Sequence, residues 1–325
     1  MMETSLNALV DSSADEASSN SRASIAMLDR IFARPAHLLY AICAAELVIT
    51  VLLAWGFGFR TANPIAFLPH FYCFLLIICG PLCRRIDKPR LGGACETVGF
   101  LFGQGFALVA LLYPMTAVSR PFADAQLAAV DRVLGFDWVA FAQFVGSSPT
   151  ATKILEVTYY SFALQGAIIL PTLFLIRKPA RAWTMIFASN FSLLATLLIY
   201  PLFPAQGTFI HYGIAPSDYP NMTARVAWAF GPAIHAIRDG GARLITPELM
   251  VPFVSFPSYH AVAAVLFIWA AWPIKLLRWP FALLNACMAV AAIIIGAHFL
   301  IDVIAGAALA LASIAVTTRV IRKTI

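Results

Sequence analysis

The stretch SFPSYHAVAAVLFIWAAWPI, residues 255–274, combines two demands. Its body is an apolar run long enough to enter a membrane, while its mouth packs Pro257, Ser258 and His260 together. Polar groups at the end of such a run need a purpose. A partner appears 38 residues after His260, where His298 sits in GAHFLIDVIAG (296–306). Between the two histidines lie one apolar run, the turn PIKLLRWP (273–280) and a second apolar run. A helix rises 1.5 Å per residue, so two crossings and a turn fill that interval. Both histidines are therefore expected at the same membrane face.

Composition supports the membrane setting. Of 325 residues, 61% are hydrophobic and only 12% charged, with a mean hydropathy of +0.83. A soluble domain carries about 25% charged residues. Eight runs suit membrane helices, at about 37–58, 63–83, 97–118, 154–176, 183–203, 257–275, 280–297 and 298–318. The net charge of +6 does not point to nucleic acid, because the basic residues sit in short clusters between these runs. With the N-terminus inside, 15 of the 22 basic residues fall in cytoplasmic segments, including RRIDKPR (84–90), RKPAR (177–181) and RVIRK (319–323). The expected fold is an all-α integral membrane bundle of about eight spans, N-in and C-in. Residues 1–36 read as a disordered cytoplasmic tail, 37–96 as N-terminal membrane helices, 97–318 as the catalytic membrane domain and 319–325 as a basic cytoplasmic end.

Two outer segments are long. In the first, Leu127, Val130 and Leu134 share a helical face, and Trp138, Phe141 and Val145 resume it after Gly135. That pattern predicts short helices lying in the interface, with Trp138 at headgroup depth. The second, about 204–254, is rich in Gly and Pro; its His211 and His235 read as loop residues. The six cysteines lie in or beside apolar runs and read as small buried hydrophobes.

Asp302 follows His298 by four residues, so the two share a helical face. A carboxylate there fixes the imidazole tautomer and frees the other nitrogen for attack. It also explains an acid within an apolar helix. Ser258 and His260 open a helix whose free N–H groups favour a phosphate. Taken singly, either motif also fits a polar tie between helices. A His2Asp metal site is a further reading, without obvious completing ligands. A transporter relay through Glu46, Glu156 and Asp302 is another.

FPSYHA (256–261) with GAHFLIDVIAG (296–306) resembles the second and third signature motifs of the type 2 phosphatidic acid phosphatase (PAP2) superfamily. The PSYH form, RPFADAQLAAVDRVLGFDW (120–138) and YPLFPAQGTF (200–209) resemble its Aur1/Ipt1-like inositolphosphotransferase branch. The resemblance implies that His298 is the nucleophile, that Asp302 orients it, and that His260 protonates the leaving alcohol, while Ser258 holds a phosphate oxygen. Two departures stand out. Ala291 and Ala292 occupy the positions of the usual Ser-Arg pair, so the phosphate-clamping arginine is missing there. YPMTAVSRP (113–121) keeps Arg120-Pro121 of the first motif but has Tyr113 in place of lysine. Arg120, Arg238 and Arg243 are the outer-face candidates for the missing cation. The implied activity is transfer of a phospho-headgroup from a lipid phosphate to a lipid alcohol, through a phosphohistidine, without cofactor or metal. Hydrolysis of a phosphatidate or polyprenyl diphosphate is the alternative, and an inactive scaffold the weakest reading. The setting would be a bacterial inner membrane or its equivalent, with the site on the periplasmic or lumenal face.

Overall fold

The computed structural model describes residues 34–61, 71–222, 226–245 and 253–324. Among these, the chain is all-α apart from a two-residue parallel bridge, Arg60–Thr61 with Leu244–Ile245. Thirteen helices follow one another: α1 Arg34–Gly56, α2 Phe71–Arg85, α3 Pro89–Ala117, α4 Asp124–Val133, α5 Trp138–Gly146, α6 Pro149–Tyr160, α7 Phe162–Leu175, α8 Pro179–Ile199, α9 Thr208–His211, α10 Val226–Arg238, α11 Tyr259–Ala271, α12 Arg278–Ile294 and α13 Leu300–Thr324.

Four helices (α1, α3, α8 and α13) are long and apolar enough to cross a membrane, and α6 with α7 makes a fifth candidate bent by 49° at Ser161. The molecule is an integral membrane protein. Length alone thus supports four to five spans, where the apolar runs suggested eight. The shortfall has local causes. Trp272-Pro273 ends α11 after 13 residues, and the Gly296 turn separates α12, of 17 residues, from α13. The start of the 63–83 run, like residues 1–33 of the tail, lies outside the described residues.

Two connections use one device. Asp87 and Arg177 adopt left-handed φ values of 55° and 59°, and the following Lys88 and Lys178 N–H groups each reach back 2.8 Å, to the Cys83 and Leu173 carbonyls. Those bonds satisfy carbonyls that a helix end would leave open. Pro89 and Pro179 then open α3 and α8 at a position where a missing N–H costs nothing. Next to the first turn, Arg84 is buried rather than solvated. It forms a bidentate pair with Glu96, which also accepts a 3.0 Å bond from the Tyr40 hydroxyl. Removing one partner of such a pair costs about 3–5 kcal/mol, because the other charge is left alone.

From these turns α3 and α8 run side by side to the opposite end, where the Arg120 N–H donates to the Pro201 carbonyl at 2.9 Å. Helix α13 packs against α8 and α11, and α11 also packs on α12 and α7. The α11–α13 approach requires Gly306, since a Cβ there would lie 2.2 Å from the Ser258 carbonyl oxygen.

The apolar stripe of α4 is split between buried and exposed residues, while Trp138 and Val145 of the α5 stripe are both buried. Asp124, Leu127, Ala128 and Asp131 are buried, whereas Val130, Val133 and Leu134 are exposed. Trp138 is 1% exposed and so packs within the protein. In a membrane protein the apolar stripe can face lipid while the polar stripe turns inward to backbone groups.

Candidate active site

His298 sits in the five-residue break between α12 and α13, just before the first turn of α13. The left-handed Ala297 (φ 54°) turns the chain there, and the His298 N–H returns to the Ala292 carbonyl at 3.3 Å. The imidazole Nδ1 lies 3.3 Å from Asp302 Oδ2, with both side chains buried. That oxygen also accepts from the Ser255 hydroxyl at 2.7 Å and the Phe299 N–H at 3.0 Å. Three donors therefore converge on one oxygen and fix the carboxylate. With Nδ1–H donated to Asp302, Nε2 of His298 carries the free lone pair.

The second histidine comes from the start of α11. Ser258 caps this helix, its hydroxyl accepting the Ala261 N–H, and its own N–H donates to the Asp302 carbonyl at 3.0 Å. The PSYH turn and α13 are thus joined through the backbone. The half-buried His260 ring stacks on Tyr159 at 3.9 Å and tilts against Phe162 at 5.2 Å. The bend at Ser161 presents these two rings on either side of the break. Tyr159, on which His260 stacks, and the His298 ring both border Gly296.

Aspartates of α4 brace this end. Asp131 accepts the Leu300 and Ile301 N–H groups at 2.8 and 2.9 Å, capping the helix that follows His298. Asp124 accepts the Gln206 N–H at 3.0 Å and the Gly207 N–H at 3.2 Å, while the Thr208 N–H donates to the Ala297 carbonyl. Burial pushes both carboxyls above their ordinary values, against the lowering effect of these N–H bonds; the Asp302 charge raises Asp131 further. Trp138 Nε1 donates towards the Ile293 and His298 carbonyls, at 3.3 and 3.1 Å.

The cationic candidates separate by position. Arg238 lies 4.3 Å over the Phe122 ring, and its Nη1 is buried with no hydrogen bond among the described residues. A buried guanidinium N–H without an acceptor suits a phosphate oxygen. Arg120 is exposed, on the segment tied to Pro201. Arg243 donates to the Ile237 carbonyl at 2.8 Å and covers the Phe59 ring, bracing the bridge to Arg60. Tyr113 is buried, edge-on to Phe59 and Phe253. Ala291 and Ala292 are fully buried in the packing around the break. His211 and His235 belong to helices and not loops; His235 bonds Gln206 Oε1 at 2.8 Å. Among the described residues no group of three or more His, Cys, Asp or Glu is placed to hold a metal ion, the His260–His298–Asp302 trio included.

Sequence reasoning missed Ser255, Asp124 and Asp131 as parts of this end. A signal was present: two aspartates seven residues apart fall on one face of a short helix.

Comparison with protein families matches residues 125–316, more than half of the chain, to the PAP2 superfamily. The match begins after Tyr113 and Arg120 and contains both histidines. Comparisons with curated proteins and with solved structures give no match. The matched region holds the PSYH turn, the buried His298–Asp302 pair and the helices that join them, and the chain belongs to the PAP2 superfamily.

Proposed function

We propose that the protein is a phosphotransferase that moves a phospho-headgroup from a lipid phosphate to a lipid alcohol. PAP2 membership supports phosphatase or phosphotransferase chemistry on lipid phosphates in general. The observation that carries the reading is the buried His298 Nδ1–Asp302 contact, which leaves Nε2 as an oriented nucleophile beside His260. Nε2 attacks phosphorus, the bond to the leaving alcohol breaks, and His260 supplies the alkoxide its proton. An acceptor hydroxyl then attacks the phosphohistidine, giving its proton to His260 as the P–N bond breaks. Ser258 and the start of α11 face the phosphoryl oxygens, with Arg238 and Arg120 as the cations replacing the one absent at Ala292. Arg243 and Tyr113 act one layer back, by holding the surrounding segments.

The wider arrangement belongs to the same proposal: eight crossings, both termini inside, and the site at the outer face of a bacterial inner membrane or its equivalent. The positive-inside distribution supports it. Transfer is favoured over hydrolysis by the PSYH form of the second motif.

Membranes carrying the wild type or His298→Ala test the reading. Phosphatidylinositol and phosphatidate are supplied with ceramide and diacylglycerol, and free phosphate and new headgroup-bearing lipids are followed. His298-dependent headgroup transfer is expected, and it should survive EDTA. His298-dependent phosphate release without transfer would make the protein a lipid phosphatase. Products unaffected by His298→Ala would remove the histidine mechanism.

A further inference from the structure

Helices α1, α2 and α3, which precede the family region, enclose a cavity of about 1010 Å³. The volume suits a lipid-sized ligand. Its rim carries exposed Leu47, Val51 and Trp55 on α1 and Phe74 on α2, so it opens sideways to the hydrocarbon. Its lining contrasts with that rim. Glu46, Thr50 and Gln104 are each more than nine-tenths buried, and all three line the cavity. Each presents an oxygen with no hydrogen bond among the described residues: Glu46 Oε1, Thr50 Oγ1 and Gln104 Oε1. The other Glu46 oxygen is held by Asn190 Nδ2 at 2.9 Å, so the carboxyl is fixed in orientation. Three buried oxygens without donors are costly in an apolar wall.

The lining is also wired to the catalytic helix. Gln104 Nε2 donates to Ser189 Oγ at 2.9 Å, and that hydroxyl lies 2.8 Å from the Tyr259 hydroxyl. Tyr259 directly precedes His260 and is the tyrosine of PSYH. Two hydrogen bonds thus separate the cavity from the first residue of α11.

We propose that this cavity is a lateral binding site for a neutral, hydroxyl-bearing lipid. The lipid's hydroxyl donates to a free oxygen of the Glu46, Thr50 and Gln104 cluster, and its chains leave between α1 and α2. The proposal concerns binding and stands whether the reaction is transfer, hydrolysis or neither.

The test uses the full-length protein in nanodiscs with a photoactivatable diacylglycerol whose chain carries a diazirine. Crosslinked peptides are mapped, and labelling is competed with unlabelled diacylglycerol or its O-methyl ether. The expected result is labelling of 43–55 and 100–110, with the alcohol competing at least tenfold more effectively than the ether. The near-isosteric Thr50→Val should shrink that preference at least threefold, and Glu46→Gln should alter it as well. Equal competition by alcohol and ether would overturn the proposal, as would labelling spread over lipid-facing helix surfaces. Wild-type competition is decisive by itself, so a variant that fails to fold leaves the test intact.

Discussion

The two ends of the bundle are finished in different ways. At one end the chain turns twice through nearly the same sequence, IDKPR (86–90) and IRKPA (176–180), using one left-handed residue, one reach-back N–H and one proline. Backbone geometry closes these turns. At the other end, side chains take over. Asp131 holds two N–H groups of α13, Asp124 holds those of Gln206 and Gly207, and Trp138 serves two carbonyls across the α12–α13 break. A local turn fixes only itself. Side-chain braces fix segments distant in sequence relative to one another, as two histidines from different helices require.

The comparison can be broken at four points. Asp302→Asn should reduce turnover by about 10³-fold or more, by analogy with losing the orienting carboxylate of a catalytic triad. The protein should still fold, and a rate within tenfold of wild type would deny Asp302 its orienting role. Gly306→Ala forces a methyl group against the Ser258 carbonyl, so α11 and α13 must separate. Turnover should fall by about 10²-fold, as for an ångström-scale misplacement of reacting groups. Unchanged turnover would mean that the α11–α13 spacing does not position the histidines.

Asp131→Asn should lower stability by about 1 kcal/mol, as for a weakened helix cap, and slow turnover several-fold. It also carries a pH signature. Burial raises the Asp131 carboxyl in the folded state, so the fold takes up a proton before the unfolded chain does. This contribution favours folding at low pH and is lost as pH rises through the raised value. Melting curves followed as pH falls from neutral towards the ordinary carboxylate range should therefore shift in favour of wild type relative to the variant; the opposite drift would mean that burial does not dominate. The smallest effect belongs to the other end. Arg177→Gly relieves a left-handed residue and should raise stability by about 0.5–1 kcal/mol with turnover unchanged. A changed rate would show that the two ends are not independent.

Part of this was legible in the sequence. The 38-residue interval is filled by α11 and α12, which pack on each other, so that His260 at the start of the one and His298 after the end of the other come to the same end of the bundle. Asp302 was legible through the i, i+4 relation. The α4 helix was legible only in part: its apolar stripe marked a short helix, while the inward turn of Asp124 and Asp131 was not foreseen. Hydrophobic periodicity marks a face without saying whether protein or lipid covers it. Nor could spacing separate Arg238 from Arg243: both lie over a phenyl ring, and the difference is the Ile237 carbonyl that Arg243 engages, while Arg238 Nη1 has no hydrogen bond among the described residues.

Membrane helices answer a change in bilayer thickness mainly by tilting. His298 lies in the break between α12 and α13, and independent tilting of the two helices would distort the turn that holds it. The Trp138 indole N–H points to the Ile293 carbonyl in α12 and to the His298 carbonyl within the break. It ties the turn that carries the imidazole to the end of α12, so that the two lean together when the bilayer thickness changes.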